Sequence, residues 1–255
     1  VIAKAVALME ALAQTPEATS AELAATVGEP RSSVYRSLNI LTEHGLVEPG
    51  ATRGTHRLGL KLLQLGSVVA SRLDVRRAAL PVMERIHDET GETLFLCIRK
   101  EREAVCIERI DGRRAAVMEL KLGGSLPLHA GASPRAILAF EDRSEWDQYL
   151  SGGPIEDPMS GARLSRKTVI EQLTNVRARG VSISDEDLSV GFAAVAAPIF
   201  DHGGAVVAAL ALSGIRPAIL GEAESHSCGL VIDGAAEISK TLGYAGDAPA
   251  SAAPL

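Results

Sequence analysis

The feature that most constrains this chain lies in its first sixty residues, where two helical segments flank a glycine turn and a small hairpin follows. Thr19 and Glu22 fit the S/T-x-x-E capping box, so a helix is expected from Ser20. It runs through Leu23 and Val27 and stops at Gly28, which suits a left-handed helix exit. Glu29 and Pro30 make the turn, and a second helix is expected from Arg31 to His44, closed by Gly45. Leu46-Val47-Glu48, the turn Pro49 to Gly54, and Thr55 to Leu58 then read as strand, turn and strand. Helix, short turn, helix and hairpin together describe a winged helix-turn-helix.

The second helix says what such a unit could do. Val34, Leu38 and Leu41 recur at i, i+4 and i+7 and form its core stripe. At 100° per residue, Ser32, Arg36 and Asn39 fall on the opposite face, with Tyr35 on its flank. These side chains reach phosphates and base edges in a major groove. An ordinary solvent face, which would carry Glu and Lys more often, is the alternative. Arg53 at the hairpin tip and Arg57 on its second strand could neutralise phosphates. Arg31, Ser32, Ser33, Tyr35, Arg36, Asn39, Arg53 and Arg57 are therefore the expected DNA-binding residues.

Charge bears on this reading. The 255 residues carry a formal net charge of -6, which argues against a generic nucleic-acid coat. Between Arg31 and Lys61, however, five basic residues face only two acids, Glu43 and Glu48. With 46% hydrophobic residues the chain can bury a sizeable core, which excludes a disordered chain apart from its ends. No apolar run has the length of a membrane span, no signal segment opens the chain, and a cytoplasmic protein without membrane contact is expected. The chain begins without Met, which leaves room for a natural N-terminal arm ahead of Val1. The first helix, Val1 to Ala13, carries Ile2, Val6, Met9 and Ala13 beside a second stripe of Val1, Ala5, Leu8 and Leu12. So wide an apolar surface fits either self-association or a fully buried helix.

Beyond Leu58 the apolar period stays helical through two segments broken near Ser71 to Asp74, with Arg76 and Arg77 on a solvated face. Strands are expected at Thr93 to Arg99, Ala104 to Ile110 and Ala116 to Leu122, forming an antiparallel meander. After a loop of residues 123–133 come helices at Pro134 to Phe140, Glu145 to Leu150 and Arg166 to Arg179, the last capped by Ser165 and ended by Gly180. Strands at Phe192 to Phe200 and Ala205 to Ser213 and a helix at Glu222 to Leu242 complete the domain. The tail from Ala245 is expected to be disordered. Boundaries of 1–60, 61–73, 74–244 and 245–255 follow for the winged helix, a linker helix, the sheet domain and the tail. A sheet covered by helices suits a small-molecule sensor or an enzyme.

The segments Pro30 to Leu38, His56-Arg57-Leu58-Gly59, Leu65-Gly66 and Thr90-Gly91-Glu92-Thr93 occur in a recognisable order. Leu126 to Ala130, Arg179-Gly180 leading into Asp185-Glu186-Asp187, Ala196 to Ile199 and Ser213-Gly214 continue it. In these the chain resembles the IclR family of bacterial transcriptional regulators from about Val1 to Gly243. The resemblance implies an α+β protein: an N-terminal winged helix-turn-helix, a linker helix and a C-terminal GAF-like antiparallel-sheet effector domain. It implies a homodimer or dimer of dimers that binds a palindromic operator in double-stranded DNA. As repressor or activator of metabolic or catabolic genes, it would answer to a small-molecule effector, and no cofactor or metal is expected.

The same resemblance places the effector at the loop-to-helix junction after His129, where the family pattern T-A-x-G-K-A becomes Gly131 to Ala136, with Pro134 and Arg135 replacing Gly and Lys. Pro134 has no N–H to give an anion. Members that bind small oxoacids have polar groups matching Ser184, Ala194 and Ser213, and Ala194 is apolar, so a larger or more apolar ligand, an organic or aromatic acid, is expected. The effector-binding residues so implied are Cys97, Met118, His129, Gly131, Ala132, Ser133, Ser184, Asp185, Ala194 and Ser213. Cys97, Cys106 and Met118 also read as plain core on strands, and the three cysteines, without C-x-x-C spacing, as reduced small hydrophobes. The rival is a hydrolytic or small-molecule-binding enzyme using His129 and Ser133 with a distant Asp185. No G-x-S-x-G elbow surrounds Ser133, and a Ser before Pro at a helix start is more simply an N-cap. The chain is therefore read as a regulator and not an enzyme.

Overall fold

The computed structural model describes residues 2–70, 74–113 and 120–246. They divide into two compact units, which part between Arg72 and Leu73.

The first unit opens with helix α1 (Ile2–Gln14), a two-residue strand β1 (Ala18–Thr19) and helix α2 (Ser20–Val27). The capping box forms as the sequence requires. Thr19 Oγ1 accepts from Glu22 N–H at 3.2 Å, and the Glu22 carboxylate accepts from Thr19 N–H at 2.8 Å. Gly28 ends α2 at φ 67°, a left-handed conformation costly for any residue with a Cβ. Helix α3 (Arg31–Glu43) follows, then strands β2 (Val47–Pro49) and β3 (Thr55–Leu58) and helix α4 (Leu60–Ala70). The hairpin is a three-stranded sheet ordered β1-β3-β2, because Ala18 and Thr19 pair with His56 and Thr55. Leu8 and Leu12 of α1, Leu23, Val34, Leu38, Leu41 and Val47 close one small core. Ile2 and Val6 stay exposed, as do Leu60, Leu63, Leu65 and Val68 of α4. The first helix is thus not fully buried within its own unit.

The second unit begins with helix α5 (Asp74–Thr90), strands β4 (Thr93–Lys100) and β5 (Glu103–Ile110), and a short strand β6 (Ser125–Pro127). Helices α6 (Ala132–Phe140), α7 (Arg143–Ser151) and α8 (Arg166–Arg179) come next. Strands β7 (Ser182–Asp185), β8 (Phe192–Phe200) and β9 (Val206–Ile215), a single turn α9 (Arg216–Ile219) and helix α10 (Glu224–Thr241) finish the unit. The sheet is six-stranded and antiparallel, ordered β6-β5-β4-β9-β8-β7. Alternation sorts its side chains between two cores. Phe95, Cys97, Cys106, Ala196, Ala209 and Ala211 pack under α6, α7 and α8. Leu94, Leu96, Val195, Leu210 and Leu212 pack under α5, α9 and α10.

The structure corrects four expectations. Of the strand expected at Ala116 to Leu122, residues 116–119 lie outside the described residues, and 120–122 are not strand. The strand beside β5 is β6, three residues whose Pro127 is tolerated at a sheet edge. β7 is an unexpected strand, because its Ser-Ile-Ser-Asp turns small serines, not large apolar groups, toward the α6 side. Arg76 is not merely solvated, since it bridges the largely buried Glu108 at 2.5 Å. Of the expected tail, 245–255, residues 247–255 lie outside the described residues.

Candidate functional site

On α3, Val34, Leu38 and Leu41 turn into the core of the first unit, so the opposite face is presented outward. Arg31, Ser32, Tyr35, Arg36 and Asn39 are all exposed, Tyr35 by 56%. Arg31, Ser32, Tyr35 and Arg36 line an open groove with Ser20 and Ala21 at the start of α2. Ser20 and Ala21 escaped the sequence reading, because a helix's first turn carries no side-chain signature for contact. Ser33 departs from the expected set. It is half-buried, and its hydroxyl accepts from Lys4 Nζ of α1 at 2.7 Å. The same ammonium bridges Glu29 in the turn at 2.8 Å, so Ser33 and Lys4 fasten α3 to α1.

The wing is held by a residue the sequence reading passed over. Glu17, just before β1, accepts from the Ala51 and Thr52 amides at 2.6 and 3.1 Å and from the Thr55 hydroxyl at 2.8 Å. These bonds hold its carboxyl down at about 2, led by the Ala51 amide. Because the contacts span 34 to 38 residues, no local pattern could have shown them. Arg53 and Arg57 are exposed on this anchored hairpin, and Arg57 lies 3.6 Å from Glu48.

In the second unit a cavity of about 50 Å³ opens between the sheet and the start of α6. Register assembles it. Ser184 stands opposite Ala194, and Ala194 opposite Ser213, so residues as far apart in sequence as Ser184 and Ser213 share one row across β7, β8 and β9. Ala132, Ser133, Ser184 and Ala194 line the cavity, and Phe95, Leu126 and Leu188 are apolar contributors that the sequence did not single out. Gly131 starts α6 without a side-chain cap. The first-turn N–H groups therefore have no side-chain acceptor at the cap, and Pro134 supplies none.

The other expected effector residues that the structure describes lie outside this lining, each for a visible reason. Cys97 is sealed in the core beneath α6. Gly131 supports the wall instead, since a Cβ there would sit 2.9 Å from Leu188 Cδ1. The Ser213 hydroxyl is spent on Ala193 O at 3.0 Å. Asp185 is exposed and held by Arg216 through contacts of 2.6 and 2.9 Å, which lower its carboxyl. Arg135 is likewise committed, to Asp187 at 2.5 Å and to Ile183 O. Met118 lies outside the described residues.

His129 is buried. Its Nε2 must donate to Glu156 O at 2.9 Å, leaving Nδ1 to accept from the Tyr149 hydroxyl at 2.7 Å. Burial lowers its basicity, so the ring is neutral with both nitrogens engaged. That arrangement leaves no nitrogen to take a proton from Ser133, and it fastens the loop before α6 to α7.

An outward helix face beside an anchored wing, in a chain that also carries a cavity-bearing sheet unit, defines a ligand-responsive DNA-binding regulator. Residues 1–50 match the IclR helix-turn-helix domain, and residues 67–240 match the bacterial transcriptional regulator IclR C-terminal domain. The chain belongs to the IclR family of bacterial transcriptional regulators. It is 32% identical over 243 residues to the HTH-type transcriptional regulator KipR of Bacillus subtilis, covering 95% of this chain and 97% of that one. To the transcriptional repressor IclR of Escherichia coli it is 27% identical, over 88% and 82% of the two chains. The crystal structure of the Thermotoga maritima IclR superposes with a TM-score of 0.79 at 28% identity, covering 95% and 98%. Among the described residues, no helix is long and apolar enough to cross a membrane.

Proposed function

We propose that this regulator reads a palindromic operator in double-stranded DNA as a homodimer or dimer of dimers, and that an organic acid in the sheet-unit cavity controls it. The observation that carries the reading is the exposed face of α3, where Arg31, Ser32, Tyr35 and Arg36 meet the start of α2. Arg36 and Asn39 suit base edges, whereas Arg53, Arg57 and the α2 N-terminus suit phosphates. The exposed apolar side chains of α1 and α4 support self-association. Residues 1–60 would bind DNA, 61–73 link, and 74–244 sense, in a protein acting in the cytoplasm without enzymatic activity.

The cavity lining supports an aromatic acid. Phe95, Leu126, Leu188 and Ala194 offer an apolar body, and the Ser133 and Ser184 hydroxyls with the start of α6 suit a carboxylate. Ligand pockets generally measure about 300–1,000 Å³. A cavity of about 50 Å³ must therefore open to admit such a ligand. Binding then selects a conformation the empty unit seldom adopts, which is the physical basis for shifting the population of DNA-competent dimers.

Genomic-fragment selection with the purified protein, followed by footprinting of the best fragment, tests the reading. Protection of two inverted half-sites about 10 base pairs apart, or a multiple of that, is the expected result. Weak protection spread equally over all fragments would overturn it.

A further inference from the structure

Cys97 and Cys106 face each other across the β4–β5 ladder, in the core cluster beneath α6. The ladder slips by one residue there. Leu96 stands opposite Glu108 but Cys97 opposite Cys106, so Ile107 is the extra residue of a β-bulge. Cys106 N–H donates to Gly124 O at 2.9 Å, and Cys106 O accepts from Gly123 N–H at 2.8 Å. Both backbone groups of one strand residue point to the same side, so those of Cys106 turn away from β4. Relative to β4 the two cysteines are thus a non-hydrogen-bonded pair, the closer kind, with Cα atoms roughly 4.5 Å apart. Disulfides span Cα separations of about 4.4–6.8 Å, so the bond fits without strand movement.

Both thiols are free and buried, and each acts on the other's titration. They are not equivalent. The hydrogen bond with Cys106, then burial, pushes the Cys97 thiol up. The hydrogen bond with Cys97, helped by the Glu108 backbone and Arg109, brings Cys106 down. Cys228, on α10 beyond the opposite face of the sheet, has no such partner thiol and is pushed up by burial. The Ser133 hydroxyl, which lines the cavity, acts on the Cys97 thiol in the opposite direction and brings it down.

We propose that Cys97 and Cys106 form a reversible dithiol–disulfide site, oxidised by a small hydroperoxide and joined to the cavity wall through Ser133. The Cys106 thiolate attacks the peroxide, whose O–O bond breaks to release an alcohol (water, for hydrogen peroxide) after the alkoxide takes the thiol's proton. Cys106 becomes a sulfenic acid. The Cys97 sulfur displaces its hydroxyl, the S–S bond forms, and the Cys97 proton leaves with that hydroxyl as water. Two thiols lose two electrons, and the peroxide gains them. Buried sulfurs favour an oxidant near the size of water. The bond draws Cys97 Sγ toward β5 and away from Ser133 at the start of α6. The thiol chemistry stands whether or not the cavity takes an acid.

The test uses the full chain carrying Cys228→Ser, treated with hydrogen peroxide, denatured, alkylated and weighed. Alkylation should fall from two cysteines to none, with a linked Cys97–Cys106 peptide and recovery in dithiothreitol. Amide exchange over residues 132–136 should change on oxidation. In a further Cys97→Ala variant, Cys106 should instead be trapped as a sulfenic acid by dimedone. Two cysteines still alkylatable after peroxide, or higher oxidation without a linked peptide, would overturn the site. Unchanged exchange over 132–136 would overturn its link to the cavity.

Discussion

The two units place their functional groups in opposite ways. The winged unit displays its site outward on one helix, so Arg31, Ser32, Tyr35 and Arg36 are neighbours in sequence as well as in space. The sheet unit builds its site inward, joining Ser184 and Ala194 through the register of β7 and β8 and adding Ser133 from the start of α6. A site on one helix depends on local periodicity, whereas one across a sheet depends on every pairing between the strands. Substitutions should separate the two accordingly.

The largest effect is expected from Trp146→Ala, at about 3–5 kcal/mol. Trp146 is buried in the sheet unit, donates its indole N–H to Leu138 O at 2.6 Å, and has the Arg143 and Arg177 guanidiniums 4.8 and 5.3 Å from its ring. Thermal unfolding should show the sheet unit destabilised while the winged unit keeps its own transition. Leu38→Ala is the counterpart, fully buried in the small core of the winged unit, at about 2–5 kcal/mol. It should abolish DNA binding while Trp146, the chain's one tryptophan, keeps its native fluorescence. Loss of that signal would show that the units do not fold separately.

Legibility followed the same division. The capping box at Thr19 and Glu22, the Gly28 exit and the core stripe of α3 were all readable, because each is set within a few residues. The half-burial of Ser33 follows from a contact with Lys4, 29 residues away, which no local pattern shows. In the sheet unit, β8 was read correctly from its apolar run, yet β7 was not, since its serines face inward. Ser184 and Ala194 came from family resemblance, and register then placed them in one row. Phe95 and Leu188 could not have been found, as apolar residues lining a cavity look like any core residue.

Smaller effects sharpen the contrast within the winged unit itself. Arg53→Ala should weaken binding to all sequences alike and reduce the salt slope by about one, if its contact is to phosphate. Binding of matched and scrambled fragments across a salt series measures this, and loss confined to one operator would assign Arg53 to the readout. Glu17 gives the smallest effect. Its carboxyl is depressed from 4.5 to about 2, so its hold on the wing is complete above 4.5 and is lost as pH falls toward 2. Exchange protection of the Ala51 and Thr52 amides should fall over that window, and Glu17→Gln should flatten the dependence. A dependence that survives the substitution would place the titrating group elsewhere.

The central claim is that α3 reads sequence, and Arg36 tests it most directly. The measurement is the affinity of the selected operator against a scrambled fragment of equal length, for the wild type and for Arg36→Ala at one salt concentration. The wild type should prefer the operator by a factor of about 10³–10⁷. Arg36→Ala should lose roughly 1–3 kcal/mol of that preference while its binding to the scrambled fragment changes far less. An undiminished preference in Arg36→Ala would contradict the assignment of the exposed face of α3 as the surface that reads DNA.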